Sequence, residues 1–183
     1  MGSETVCIDH EISFEIPQNW HWVRLSSIAN IVMGSSPKSQ NICFDDSFIE
    51  FHQGKIYFTK RTIGPSNQYT RETTKIAPNG SVLLCIRAPV GEVNITDRDI
   101  CIGRGLSSIH PCAKIPVEFL FYWLQPYKKE LINKSTGSTF SAVTSDTVQN
   151  ILLPLPPIEE QRRILLSIEN LMRLLENVES DLK

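Results

Sequence analysis

Apolar positions keep two rhythms along this chain, and the change from one to the other lays out its elements. Ile164, Ile168, Leu171, Leu175, Val178 and Leu182 follow one another at alternating spacings of four and three, the a/d rhythm of a helix with a packed seam. Leu165, Met172 and Leu174 flank that seam, so the apolar stripe is wider than one partner helix covers. Pro156 and Pro157 stand just outside or at the first helical position, where a missing N–H costs nothing, and Glu159 and Glu160 follow at the positive end of the dipole. The pattern predicts a helix from Ile158 to the end of the chain, roughly 39 Å long at about 1.5 Å per residue. No Gly or Pro after Pro157 offers a turn that would fold it back on itself, so something is expected to pack along it.

Upstream the rhythm shortens. Residues 17–33 (PQNWHWVRLSSIANIVM) carry Leu25, Ile28, Ile31 and Val32 at near-helical spacing and predict a tight entry followed by a short helix. Short β-type runs come next, at 55–59 (KIYFT), 82–87 (VLLCIR), 92–96 (EVNIT), 99–102 (DICI) and 106–109 (LSSI), punctuated by Asn79-Gly80, Pro89, Gly91, Gly103 and Gly105. They predict a compact, mostly antiparallel meander. Residues 117–133 (VEFLFYWLQPYKKELIN) turn helical and aromatic, with Pro126 expected to kink or split the helix. Residues 135–143 are a polar loop, and 148–153 predict a strand leading into the last helix. The class is α+β: a globular domain with a small, mostly antiparallel sheet and helices over residues 1–153, then a helical region over 154–183.

Composition narrows the function classes. At 183 residues, 41% hydrophobic and 21% charged, the chain reads as one ordinary globular domain plus the helix. No apolar run approaches a membrane span and the first residues lack a leader pattern. Five cysteines, Cys7, Cys43, Cys85, Cys101 and Cys112, without a CxxC pair, fit reduced thiols in the cytoplasm. The net charge is −2, yet residues 55–104 hold eight Lys or Arg against four acids, while residues 1–54 hold two against seven. A basic middle on an acidic frame predicts a positive face.

Catalytic constellations are missing from the sequence: there is no GxSxG, no HExxH, and His10, His21, His52 and His110 are not spaced as metal pairs. GRGLSS at 103–108 half matches a phosphate-binding loop but lies between two strand-like runs and opens no helix. What remains is a set of turn residues suited to phosphate and base-edge contacts: Ser36, Lys38, Lys60, Arg61, Arg71, Arg87, Arg104, Ser138 and Thr139. Of these, Arg87 and Arg104 sit in the most strand-like runs, so at least one is expected to serve the scaffold.

Three stretches, IPQNWHWVRLSSIANIVMGSSP, GSVLLCIRAPVGEVNI with CIGRGLSSI, and GSTFSAVTSDTVQNILLPLPPIEEQRRI, resemble a target recognition domain and conserved helix from the DNA specificity subunit of type I restriction-modification systems. The resemblance spans nearly the whole chain, in order, and PLPPIEEQ is its most specific part. Such subunits usually carry two tandem copies of this unit; one copy reads as a half-subunit. The resemblance implies a double-stranded DNA partner, with the domain reading one half of a bipartite site. It also implies a helix that serves as an antiparallel spacer and recruits methyltransferase (modification) subunits, with the restriction subunit a further candidate partner. No cofactor and no chemistry are expected on this chain. The alternative is a coiled-coil adaptor whose basic middle is incidental. Because a two-part site needs two readers, a homodimer through Ile164, Ile168, Leu171, Leu175, Val178 and Leu182 is expected, by isologous pairing.

Overall fold

The computed structural model describes residues 7–12, 14–112, 114–135 and 142–181. Eleven short strands and five helices are assigned among them. Strands β2 (Ala29–Met33), β10 (Leu106–Pro111), β7 (Ser81–Cys85) and β8 (Val93–Thr96) lie side by side in that order, all antiparallel. A second sheet runs β3 (Ile42–Cys43), β5 (Tyr69–Thr70), β4 (Ile49–His52), β9 (Ile100–Ile102), β6 (Ile76–Ala77), with β4 and β9 parallel. A two-stranded ribbon pairs β1 (His21–Arg24) with β11 (Leu152–Leu155), tying the segment before the main sheet to the one that leads into the last helix.

Strand β7 explains how the layers hold together. All five of its residues are buried. Successive side chains on a strand point to opposite faces. Val82 and Leu84 therefore enter the main core with α2 (Val117–Leu124), while Leu83 and Cys85 enter a second cluster with Ile63, Ile100, Ile102 and Leu106. The unbroken apolar run Val82 to Cys85 is what a strand buried on both faces requires, and the one polar residue, Ser81, donates to the Pro78 carbonyl at 2.6 Å.

The aromatic stretch splits at Pro126: α2 ends at Leu124, and α3 (Lys128–Lys134) begins two residues beyond the proline, as a residue without an N–H dictates. Phe119, Leu120, Phe121 and Leu124 of α2 are buried in the main core. The Tyr127 hydroxyl donates to the Leu152 carbonyl, anchoring the split to β11. Burial of that phenol, reinforced by Glu130, pushes its pKa up to about 12.

Four local expectations fail. Residues 17–33 hold β1, a single turn α1 (Leu25–Ile28) and β2 instead of one helix; Leu25 and Ile28 pack inward from that turn, so helical spacing arises where two strands meet. Residues 55–59 open as a 3-10 turn, Lys55–Tyr57, entered through Gly54 and closed by the Phe58 N–H on the Lys55 carbonyl. Residues 148–153 divide between α4 (Ser145–Gln149), capped by the Thr144 hydroxyl, and β11. Finally, the middle strands do not form one meander, since β9 leaves the β7–β8 hairpin to pair with β4 and β6.

Helix α5 (Ile158–Asp181) starts where the sequence places it. Gln161 is buried at the junction, its Nε2 donating to the Pro156 carbonyl at 2.9 Å. Ile164 and Leu165 pack against the main core, and with Ile168 they line a groove beside Phe119, Tyr122, Trp123 and Pro126. Beyond this the helix stands clear of the domain: Leu171 is 62% exposed and Leu175 59%.

Candidate functional site

Three turns converge at the mouth of a cleft of about 550 Å³. The segment after β4 supplies Gln53, Gly54, Lys55 and Ile56; the segment after β7 supplies Arg87, Ala88 and Pro89; the β9–β10 turn supplies Arg104 and Gly105. The Ala88–Pro89 peptide is cis. Arg87 also bridges through its backbone to Ala142, where the described chain resumes.

These turns are locked together by close backbone approach. A Cβ on Gly105 would lie 2.4 Å from the Gln53 carbonyl oxygen, and one on Gly34 would lie 2.2 Å from that of Gly103. Neither position has room for a side chain. The glycines of GRGLSS therefore serve strand-to-turn packing, and the segment opens no helix. The Ser36 hydroxyl donates to Gln53 Oε1 at 2.7 Å, and the Arg104 N–H donates to the Ser36 oxygen at 3.2 Å. Ser36 thus stitches the turns at the rim.

The cleft is cationic. Lys55, Arg87 and Arg104 line it and no acid does. Lys55 reaches Glu92 at 3.6 Å, but that carboxylate is held more closely by Lys128 at 2.7 Å, and the Lys128 hydrogen bond lowers its pKa. Neither Arg87 nor Arg104 makes a side-chain hydrogen bond or ion pair among the described residues; both are exposed. The expectation that one of them braces the scaffold is therefore replaced by another residue. Arg98 holds Glu50 with Nε at 2.6 Å from Oε2 and a second nitrogen at 2.8 Å from Oε1, and reaches the Ile63 and Gly64 carbonyls. Glu50 also accepts from the Ser66 N–H and meets buried His52 at 2.8 Å. Burial alone would raise the Glu50 pKa, but these hydrogen bonds, led by Arg98, outweigh it and hold the carboxyl down to about 2. Burial likewise lowers the pKa of His52 against the pull of Glu50.

The remaining sequence candidates are placed elsewhere. Arg61 is paired with Glu118 of α2 at 2.9 Å, and Lys60 lines a separate cavity with Glu92 and Lys128. Arg71 lies over the Phe48 ring, its guanidinium carbon 5.4 Å from the centroid. The Lys38 backbone N–H donates to Glu72, which also accepts from Asn41. Ser138 and Thr139 lie outside the described residues, as does Leu182. Lys55 and Ile56 are not among the sequence candidates, because KIYFT fits a strand; the Gly54 that precedes it is the available signal for a turn.

Burial pushes the Cys85 thiol up to about 12, and among the described residues no group of three His, Cys, Asp or Glu is placed to hold a metal ion. Among the described residues no helix is long and apolar enough to cross a membrane.

A sheet scaffold presenting a cationic cleft on turns, with an amphipathic helix projecting from it, defines a binding module. Residues 17–183 match the type I restriction modification DNA specificity domain, and the chain belongs to that family. It is 37% identical over 153 residues to a protein of Methanocaldococcus jannaschii provisionally named the type I restriction enzyme MjaX specificity subunit, covering 82% of this chain and 36% of that one. The MjaIX specificity subunit of the same organism is 26% identical over 176 residues, covering 89% of this chain and 40% of its own length. Among solved structures, the HsdS subunit from Thermoanaerobacter tengcongensis superposes with a TM-score of 0.81 at 34% identity, over 91% of this chain and 40% of that chain. The chain thus spans about two fifths of the length of these relatives.

Proposed function

We propose that this chain is a sequence-specific DNA recognition module of a type I restriction-modification system, reading one half of a bipartite site. The observation that carries this reading is the cleft itself: Lys55, Arg87 and Arg104 on converging turns, with Arg87 and Arg104 left without a side-chain partner among the described residues. Unpaired guanidinium groups on rigid turns suit phosphate oxygens and the O6/N7 edge of guanine. Ser36, Lys38, Lys60, Arg61 and Arg71, with Ser138 and Thr139, are candidates for the flanking contacts. Recognition is this chain's whole contribution; methyl transfer and cleavage belong to partner chains in the cytoplasm, where the DNA lies.

Residues 1–153 form the reading domain, and residues 154–183 the helical spacer that recruits the modification subunits and, in the full assembly, the restriction subunit. A second copy of the helix covers the exposed Leu171, Leu175 and Val178. The pairing is antiparallel, which places two reading domains toward opposite ends and makes the site palindromic around an unread spacer. Helix α5 spans about 36 Å at ~1.5 Å per residue, comparable with the roughly 34 Å of one DNA turn.

The test is salt-dependent DNA binding by the chain assembled with its modification subunit. Each cation neutralising a phosphate contributes about −0.9 to the slope of log K against log salt. Charge reversal at Arg87 and Arg104 is expected to abolish binding and methylation together. Undiminished binding would leave the helix as the functional element and favour an adaptor.

A further inference from the structure

Ile56 is the most exposed large apolar side chain among the described residues, at 85%, and it borders the cationic cleft. Its setting is rigid. The Phe58 N–H closes the 3-10 turn onto the Lys55 carbonyl at 2.9 Å, and the Gly64 N–H holds the Tyr57 carbonyl at 2.8 Å. The Tyr57 hydroxyl donates to Asn67 at 2.6 Å, and its ring meets His52 edge-on at 5.4 Å. Ile56 is therefore presented by a braced turn, with no share in either core.

Its neighbours determine what it can touch. Lys55 and Arg104 belong to the cleft's cationic lining, while Ala88 and Pro89 extend its apolar wall. An aliphatic wall beside cations has little use for a phosphate, which the cations bind without it. The base edges of unmodified DNA offer one aliphatic group, the C5-methyl of thymine, displayed in the major groove together with the guanine O6 and N7 that arginine accepts. Ile56 lines the cleft beside Arg104 while most of its surface stays open, so an incoming base edge can meet its methyl groups from the side.

We propose that Ile56 is a specificity-determining residue that reads the C5-methyl of a thymine next to the positions contacted by Arg87 and Arg104. The proposal rests on the DNA-reading function above and assigns part of its selectivity to an apolar contact. Removing the thymine methyl forfeits about one buried methyl group, a loss of about fourfold in affinity.

The experiment uses the chain assembled with its modification subunit and two random-sequence duplex libraries, one containing thymine and the other uracil in its place. The wild-type complex is expected to select a motif with a thymine in each half-site, and replacing that thymine with uracil in the selected duplex is expected to weaken binding about fourfold. Ile56→Ala should erase the thymine-over-uracil difference while keeping the rest of the motif and the salt slope; Ile56→Val should retain most of it. A motif without thymine, equal affinity for both bases at every position, or a thymine preference surviving in Ile56→Ala would overturn the proposal. The underlying reading fails differently: no motif would be selected from either library, and Arg104→Ala would bind DNA as the wild type does.

Discussion

From Ile158 to Ile168, α5 lies along α2, with Gln161 buried and Ile164 and Leu165 joined to the main core. From Glu169 to Val178 the same helix, with the same apolar rhythm, is exposed at every residue. The two halves differ in cover, not in pattern, and so periodicity identifies an apolar face without identifying what lies against it. The arginines divide in the same way. Arg98 is saturated by Glu50, Asp97 and two carbonyls, whereas Arg104, six residues on, has no side-chain partner among the described residues. In both pairs the satisfied member stabilises this fold, and the unsatisfied member is available to another molecule.

Four outcomes would sharpen or break that division. The largest effect is expected in the outer half of α5. Leu171→Asp with Leu175→Asp would bury two charges in a helix-paired dimer, at several kcal/mol per ion, while changing the unfolding midpoint of the domain little. Sedimentation at tens of micromolar reads the result; a wild-type monomer, or an intact dimer in the double variant, refutes pairing through α5. Ile168 is a poorer probe than Leu175, because Ile168→Asp also disturbs the groove against α2.

Next comes Arg98→Ala. Glu50, its side chain only 12% exposed, would keep a charge without its main partner, and stability should fall by about 3 kcal/mol. Urea denaturation measures this, and a loss below ~1 kcal/mol would mean that Ser66 and His52 suffice.

The same network sets an acid limit. Both Glu50 and His52 have folded pKa values below their ordinary 4.5 and 6.5, so the unfolded chain binds protons first and stability falls with pH. The His52 contribution begins to be lost below about pH 6.5. That of Glu50 is fully present above about 4.5 and is lost as pH falls through about 2. Unfolding midpoints across this range should decline in two stages, and His52→Gln should remove the upper one.

The smallest folding effect belongs to Arg104→Ala. With no side-chain partner to lose among the described residues, it should change stability by under ~0.5 kcal/mol, while weakening DNA binding by about 1–3 kcal/mol. Calorimetry beside a binding isotherm separates the two; a large stability loss would return Arg104 to the scaffold.

Much of this organisation is written in local chemistry. The start of α5 after Pro157, the break at Pro126, strands at β7, β8, β9 and β10, and the exclusion of GRGLSS from a helical phosphate loop all follow from residues close in sequence, because prolines, glycines and runs of period two act within a few residues. The cationic middle was visible too, as a count of charges. Which cations are free was not legible, since pairing joins Arg98 to Glu50 across 48 positions and Arg61 to Glu118 across 57. The strand-to-3-10 change at KIYFT has the same origin: the residues fit a strand, but β9 takes the place beside β4, and Ile56 is left facing the cleft. By itself, then, the sequence determined where elements begin, which faces are apolar and what family the chain resembles. Tertiary structure alone decided which apolar face is covered and which charge is neutralised, because both depend on partners that distant segments supply only after the sheets have formed.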